Sequence, residues 1–343
     1  MNLFLIVFGF AAVLIAAGCV YQWLGERSDR RRYAGAGRSI DIGGGRKLYV
    51  VEKGCGDGPT VLFEAGIAAT NLNWFHIQET VSRFAGTASY DRSGLGWSGP
   101  CRTARTPANI AAELHEMLER ANIEPPYVLV GHSFGGLVVW RFALMYPSEV
   151  ASVVMVDPMR CDEWPPMNPG KQAQVDRGKR LSTYAIPIAR IGLARLAVTS
   201  FFCRTGLLSR SLAGATGAGG RHVLARVTHE VTKMPREVWP MVASHWSRPA
   251  FYAGMRSHVA AVSDTVREMR DAEPIREIPV LVLTPGQSTP LSDECLRRIG
   301  DNVQQVIAPA SAHWIHLDQP DLVIDAIREQ VQAASCAEVA VTA

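Results

Sequence analysis

The sequence predicts an α/β fold on a doubly wound, mostly parallel sheet of eight strands, and three observations carry that expectation. Short β-rich runs alternate with segments of helical period over residues 38–158, which places successive strands parallel and side by side. The run Tyr127–Val130 is continuously apolar, as a strand buried on both faces should be, and breaks into Gly131-His132-Ser133-Phe134-Gly135. Behind that serine, Leu137, Val138, Phe142 and Ala143 return at helical spacing.

In chain order, Ser39–Ile42 and Lys47–Lys53 read as a leading hairpin through Gly43-Gly44-Gly45. Thr60–Glu64 is a third strand ending at Ala65-Gly66, and Thr87–Tyr90 a fourth that runs into Asp91-Arg92-Ser93-Gly94. Pro107–Ala121 is an amphipathic helix with Ile110, Leu114, Met117 and Leu118 on one face, and Thr106 is placed to cap it. The serine strand and its helix follow, then Ala151–Val156, closing on Asp157-Pro158. From Met159 to Glu277 the strand signal stops. Short helical pieces broken by prolines take over, and this is too long for a bare loop, so residues 159–277 are expected to be an inserted helical cap. Ile278–Leu283 and Val303–Ile307 resume the sheet, and Leu322–Val331 closes the core at residue 335, before a tail, 336–343.

The N-terminus carries a different signal. No charged side chain precedes Glu26, and Leu3–Leu24 is almost wholly apolar. At ~1.5 Å per residue this run reaches about 33 Å, enough for a hydrocarbon layer of ~30 Å. Residues 1–26 are therefore expected to be a single membrane anchor and 27–37 a juxtamembrane linker rich in glycine and arginine. A cleaved signal peptide would need a basic start and a shorter apolar stretch; a lipid-modified Cys19 lacks the same basic start. Arg27, Arg30, Arg31 and Arg32 flank the run on its C-terminal side, so the body is expected in the cytoplasm. Membrane lipid is thus one expected partner.

A net charge of +3 with no basic stripe argues against nucleic acid. Seven scattered cysteines, none in a Cys-x-x-Cys pair, read as free thiols rather than a metal clip or redox couple. No cofactor and no metal are implied.

The elbow at Ser133, the run Tyr90-Asp91-Arg92-Ser93-Gly94-Leu95-Gly96-Trp97-Ser98, and His313-Trp314-Ile315-His316-Leu317 occur in an order that resembles the α/β-hydrolase superfamily, with a likeness to its bacterial membrane-anchored serine hydrolases of poorly defined substrate. The resemblance spans about residues 38–335 and is strongest over Pro59–Pro158. It implies a nucleophile, a base and an acid in the chain order serine, acid, histidine.

A serine hydroxyl becomes a nucleophile when an oriented imidazole takes its proton. Ser133 sits between Gly131 and Gly135, which leave room for a tight turn, with His132 expected to pack locally. Among nine histidines, His313 matches the base position and His316 is the alternative. The acid is open. The loop after Leu283 reads Thr-Pro-Gly-Gln-Ser-Thr-Pro-Leu-Ser-Asp, with Thr289 where relatives carry an aspartate; Asp157 is the favoured candidate and Asp293 the other. Backbone N–H groups of Phe134 and Ile67 are expected to form the oxyanion hole. Asp91 and Arg92 are expected as an ion pair or turn brace, and Trp164, Trp239, Trp246 and Phe251 as lining for an acyl pocket or as cap core. These residues point to a serine hydrolase of the carboxylesterase type, acting on a lipophilic ester, thioester or amide. Alternatives are a hydrolase-shaped binding protein, to which the displaced acid points, and an acyltransferase or perhydrolase.

Overall fold

The computed structural model describes residues 3–56, 58–160, 169–202 and 231–342. Eight strands form one sheet: β1 (Arg38–Asp41), β2 (Lys47–Lys53), β3 (Thr60–Glu64), β4 (Thr87–Asp91), β5 (Tyr127–His132), β6 (Val150–Val156), β7 (Val280–Pro285) and β8 (Val303–Ala308). Their spatial order is β1-β2-β4-β3-β5-β6-β7-β8. Only the β1–β2 and β2–β4 pairs are antiparallel; the other pairs are parallel. All eight expected strands are present, with ends shifted by one or two residues.

Alternation along the central strands sorts side chains to two faces. Leu129 of β5 and Val153 and Met155 of β6 pack with Leu114, Met117 and Leu118 of α3 (Pro107–Ala121) and Phe142 of α4 (Phe134–Met145). Val128, Val130, Val154 and Val156 face the other way, onto Ile77 and Val81 of α2 (Phe75–Val81) and Val323, Ile324 and Ile327 near the C-terminus. Each such apolar side chain contributes roughly 1.5–3 kcal/mol on burial, so the central strands are fixed on both faces.

Thr106 occupies the position before α3 but its side chain makes no capping bond. The exposed amide it was expected to satisfy is taken from outside the helix, because Ala108 N–H donates to Glu268 Oε1 at 2.8 Å.

The inserted segment between β6 and β7 contributes α5 (Pro169–Arg190), α6 (Leu193–Phe202), α7 (Trp239–Trp246), α8 (Pro249–Ala260) and α9 (Val262–Arg270). Helix α8 is clamped to the turn after β4. A Cβ on Gly254 would collide with the Gly94 carbonyl, Arg248 Nη1 donates to the Gly96 carbonyl, and the Arg248 guanidinium lies 4.9 Å over the Trp97 ring. Two short helices, α10 (Asp293–Ile299) and α11 (Ile315–Asp318), precede the closing helix α12 (Pro320–Thr342).

Two boundaries differ from expectation. Helix α1 runs unbroken over Leu3–Tyr33, so residues 27–33 are helix rather than linker. Their arginines favour helix, and Asp29 is held by Arg195 of α6 at 2.7 Å. Helix α12 likewise continues past residue 335, where Ala333, Ala334 and Ala337 carry high helix propensity.

Candidate active site

Ser133 stands between β5 and α4 with φ 54° and ψ −118°, a strained conformation that an L residue rarely adopts. The turn is held from several sides: Ser133 N–H donates to the Val156 carbonyl, and its own carbonyl accepts from Gly136 and Met159. A Cβ on Gly131 would stand 2.5 Å from the Gly135 carbonyl, and one on Gly135 would stand 2.5 Å from the carbonyls of Glu64 and Ala65. Both glycines are therefore required by close backbone approach. The second approach brings the β3 loop against the elbow.

Asp157 follows β6 with φ 42°, its N–H bonded to the Leu283 carbonyl at 2.8 Å. Its Oδ2 lies 2.6 Å from His313 Nδ1, which the loop between β8 and α11 carries in from far along the chain. The His313 ring is 4.7 Å, centroid to centroid, from His132, the residue next to Ser133, and the His313 carbonyl contacts His132 Nε2 at 2.9 Å. The structure thus brings together the elbow, Asp157 and His313. It does not bring Asp293, which is exposed at the start of α10, where the preceding Ser292 side chain caps the helix through Cys295 N–H. The insertion-like sequence after β7 put this carboxylate on a helix end.

His316, the alternative base, is buried between Trp74 and His132, at ring separations of 4.7 and 4.5 Å. Neither of its ring nitrogens has a hydrogen-bond partner among the described residues. Burial pushes its pKa down to about 3, and burial holds His132 well below the ordinary imidazole range. Neutral His132 thus lies against His313, with neutral His316 packed on His132. His245, against Trp97, is also buried and pushed down to about 3, and buried His258 lies well below its ordinary value.

Those depressed values have a consequence for stability. In the unfolded chain each histidine takes up a proton near pH ~6.5, whereas in the fold it stays neutral, so stability is full above that pH and falls as pH drops towards 3. Below that pH the slope approaches about 1.4 kcal/mol per pH unit for each such histidine. The urea midpoint is expected to fall between pH 7 and pH 5, and His316→Leu to flatten that fall; a midpoint equal at both values would contradict it.

Phe134 opens α4, so its N–H has no acceptor within the helix and lies at the positive end of the helix dipole. Ile67 follows Gly66, whose missing Cβ leaves the His132 ring and the Ser133 Cβ nearby. The loop is anchored from below by a group that sequence reasoning had assigned otherwise. Arg92 pairs not with Asp91 but with Glu64, at 3.2 Å with both side chains buried, and its Nη2 donates to the carbonyls of Ala65 and Gly66. Its guanidinium also lies 5.1 Å from the Phe134 ring centre. Tyr90 OH donates to Glu64, whose burial nevertheless raises its carboxyl pKa. The only sign of this in the sequence was a glutamate ending an apolar strand, since buried glutamates are rare without a partner. Asp91 is instead a turn brace, accepting from the Asn71 N–H and side-chain amide and from Trp97 N–H.

Trp239, Trp246 and Phe251 link through Phe202 in a chain of ring contacts at 5.9, 6.2 and 6.3 Å. Trp239 and Trp246 pack with Val238 and Val242 above Leu72 and Leu317, and so help to build the core of the cap. Trp164, His222, His229, Cys161 and Cys203 lie outside the described residues. Among the described residues, no group of three His, Cys, Asp or Glu side chains is placed to hold a metal ion.

Comparison with known proteins agrees with this architecture. The family model described as the alpha/beta hydrolase fold matches residues 59–196. An uncharacterized protein of Bacillus subtilis (strain 168), YqjL, is 33% identical over 101 residues, covering 29% of this chain and 40% of that protein. The putative carbamate hydrolase RutD of Escherichia coli O9:H4 (strain HS) is 34% identical over 103 residues, covering 29% of this chain and 38% of that protein. The match thus spans well under half of the length of either relative. The crystal structure of a putative acyltransferase from Salmonella enterica superposes with a TM-score of 0.64 at 15% identity, covering 87% of this chain and 95% of that one, a likeness of fold alone. The elbow, the sheet order and the matched profile converge on the α/β-hydrolase fold.

Proposed function

We propose that the protein is a serine hydrolase that cleaves a carboxylic ester, or a thioester or amide, through an acyl-enzyme on Ser133. The observation that carries this reading is the 2.6 Å contact between His313 Nδ1 and Asp157 beside the strained serine turn. With Nδ1–H donated to the carboxylate, Nε2 is the nitrogen left to take a proton. Ser133 Oγ attacks the carbonyl carbon, its proton passes to His313, and the leaving alcohol departs with that proton. Water then attacks the acyl-enzyme, giving its proton to the same imidazole, and the acid is released as Ser133 regains its hydrogen. The N–H groups of Phe134 and Ile67 stabilise the oxyanion in both steps.

A serine at the elbow speaks against epoxide hydrolase or dehalogenase chemistry, whose covalent step uses a carboxylate. The motive for a purely ligand-binding protein was the missing acid after β7, and Asp157 now supplies a carboxylate on His313. The Salmonella neighbour keeps acyl transfer as the alternative, in which an alcohol replaces water in the second step.

Helix α1 is long and apolar enough to cross a membrane. Its basic C-terminal flank supports a single-pass anchor with the body in the cytoplasm. Anchoring favours a lipophilic acyl substrate.

A fluorophosphonate probe followed by a chain-length series of aryl esters tests the reading. Asp157→Asn is expected to lower turnover about 10⁴-fold, as loss of the orienting carboxylate does in related triads, while Asp293→Asn stays near the parent rate. Equal losses in the two variants would reassign the acid. Probe labelling that survives Ser133→Ala would remove the nucleophile.

A further inference from the structure

Helix α1 is not simply attached to the body; one face of its C-terminal half lies against the cap. A Cβ on Gly18 would collide with the Ile191 carbonyl, and the space above Gly192, itself at φ 76°, is taken by the Tyr21 ring and the Gly18 carbonyl. A second layer of polar contacts lies further along. Buried Gln22 donates to the Ser247 carbonyl at 2.9 Å and accepts from Arg195, which also holds Asp29 at 2.7 Å. The corner between α5 and α6, where the chain turns by 94°, is therefore fixed at the level of Gly18–Tyr21.

That level lies inside the apolar run. The run ends at Leu24, six residues beyond Gly18, which is about 9 Å of helix. If the run fills a hydrocarbon layer of ~30 Å, whatever packs against Gly18 is carried several ångströms below its edge. The side chains that the corner leaves uncovered suit that depth. Leu181, Tyr184 and Ile188 of α5 recur at helical spacing, Leu193 and Leu196 of α6 join them, and all five are 40–67% exposed. Exposed Arg177, Arg180 and Arg190 border them, with stems long enough to lift their charges to headgroups.

We propose that the α5–α6 corner is a second membrane-contacting surface, inserted into the same leaflet edge that α1 leaves, with lipid acyl chains as its occupant. The two lines of argument are independent: the depth comes from helix geometry and the fit from side-chain chemistry. The proposal rests on reading α1 as a membrane span and not on the serine chemistry.

The test uses the full chain reconstituted at about one copy per vesicle in phosphatidylcholine and phosphatidylglycerol, with a diazirine carried on a lipid acyl chain and adducts mapped by mass. Adducts are expected on α1 and on residues 181–196, the latter at least about tenfold above those on α10, which carries Asp293, Glu294, Arg297 and Arg298. Adducts on α1 with none on the corner would overturn the corner while leaving the anchor. Adducts on neither would overturn both. A corner free of lipid adducts that instead cross-links to a second copy, when copies are added, would give that face to protein and overturn the proposal as well.

Discussion

Ser133→Ala and His313→Ala are each expected to lower kcat/KM by at least about 10³-fold, and the double variant to fall little further. In the proposed mechanism the serine and the imidazole act as one unit, because an alcohol without a base attacks slowly and a base without the alcohol has nothing to activate. Once one is gone, removal of the other takes away an interaction that no longer exists. Residual turnover would reflect the amides of Phe134 and Ile67, which neither substitution touches. Steady-state kinetics on a soluble aryl ester in detergent measures this. Small losses that simply multiply would show two residues acting separately, and the proposed chemistry would fall.

The second large effect is expected from Arg92→Leu. Arg92 neutralises Glu64 inside the fold and holds the carbonyls of Ala65 and Gly66, so one substitution removes both a counter-charge and an anchor. Losing one partner of a buried pair costs about 3–5 kcal/mol because the other charge remains in a poor solvent. The raised carboxyl pKa of Glu64 offers partial escape by protonation, so the lower part of that range is expected. Activity should fall through kcat more than KM, since the loop carrying the Ile67 amide loses its support. The double variant Glu64→Leu, Arg92→Leu separates these roles. It should recover most of the urea midpoint, because no buried charge is left alone, yet leave kcat low. Recovery of both would make Arg92 a stability residue only. Recovery of neither would mean that the pair is irreplaceable for packing.

Much of this architecture was legible because its signals are local. Strand β5 announces itself by an unbroken apolar run and β6 by a β-rich one, and Pro107 with the apolar face of Ile110, Leu114, Met117 and Leu118 marks α3. The Ser133 elbow is legible in part for the same reason: Gly131 is demanded by Gly135 four residues on, whereas Gly135 is demanded by Glu64 and Ala65 of the neighbouring β3 segment. The acid was harder, since Asp157 and Asp293 both follow strands, and the choice depends on where His313 comes to rest after crossing from the far end of the chain. Arg92 was read with its neighbour Asp91, but its partner Glu64 lies on the adjacent strand; pairing across a sheet has no sequence spacing. The length of α1 was missed for a related reason. Arginine-rich sequence after an apolar run looks like a solvated tether until Arg195, far along the chain, gives Asp29 something to hold.

Helix α5 joins two places that would otherwise be unconnected. Near its start Val175 packs beside Ile67 and Met159, the latter hydrogen-bonded to the Ser133 carbonyl, and its far end turns at Ile191 against Gly18 of α1. No more than about 24 Å of helix separates them. If the proposed anchoring and acyl-enzyme chemistry hold, such a rod is expected to act as a ruler, setting how far an acyl chain must be drawn from its resting place before its carbonyl meets the serine, and so to select substrates by reach as well as by shape.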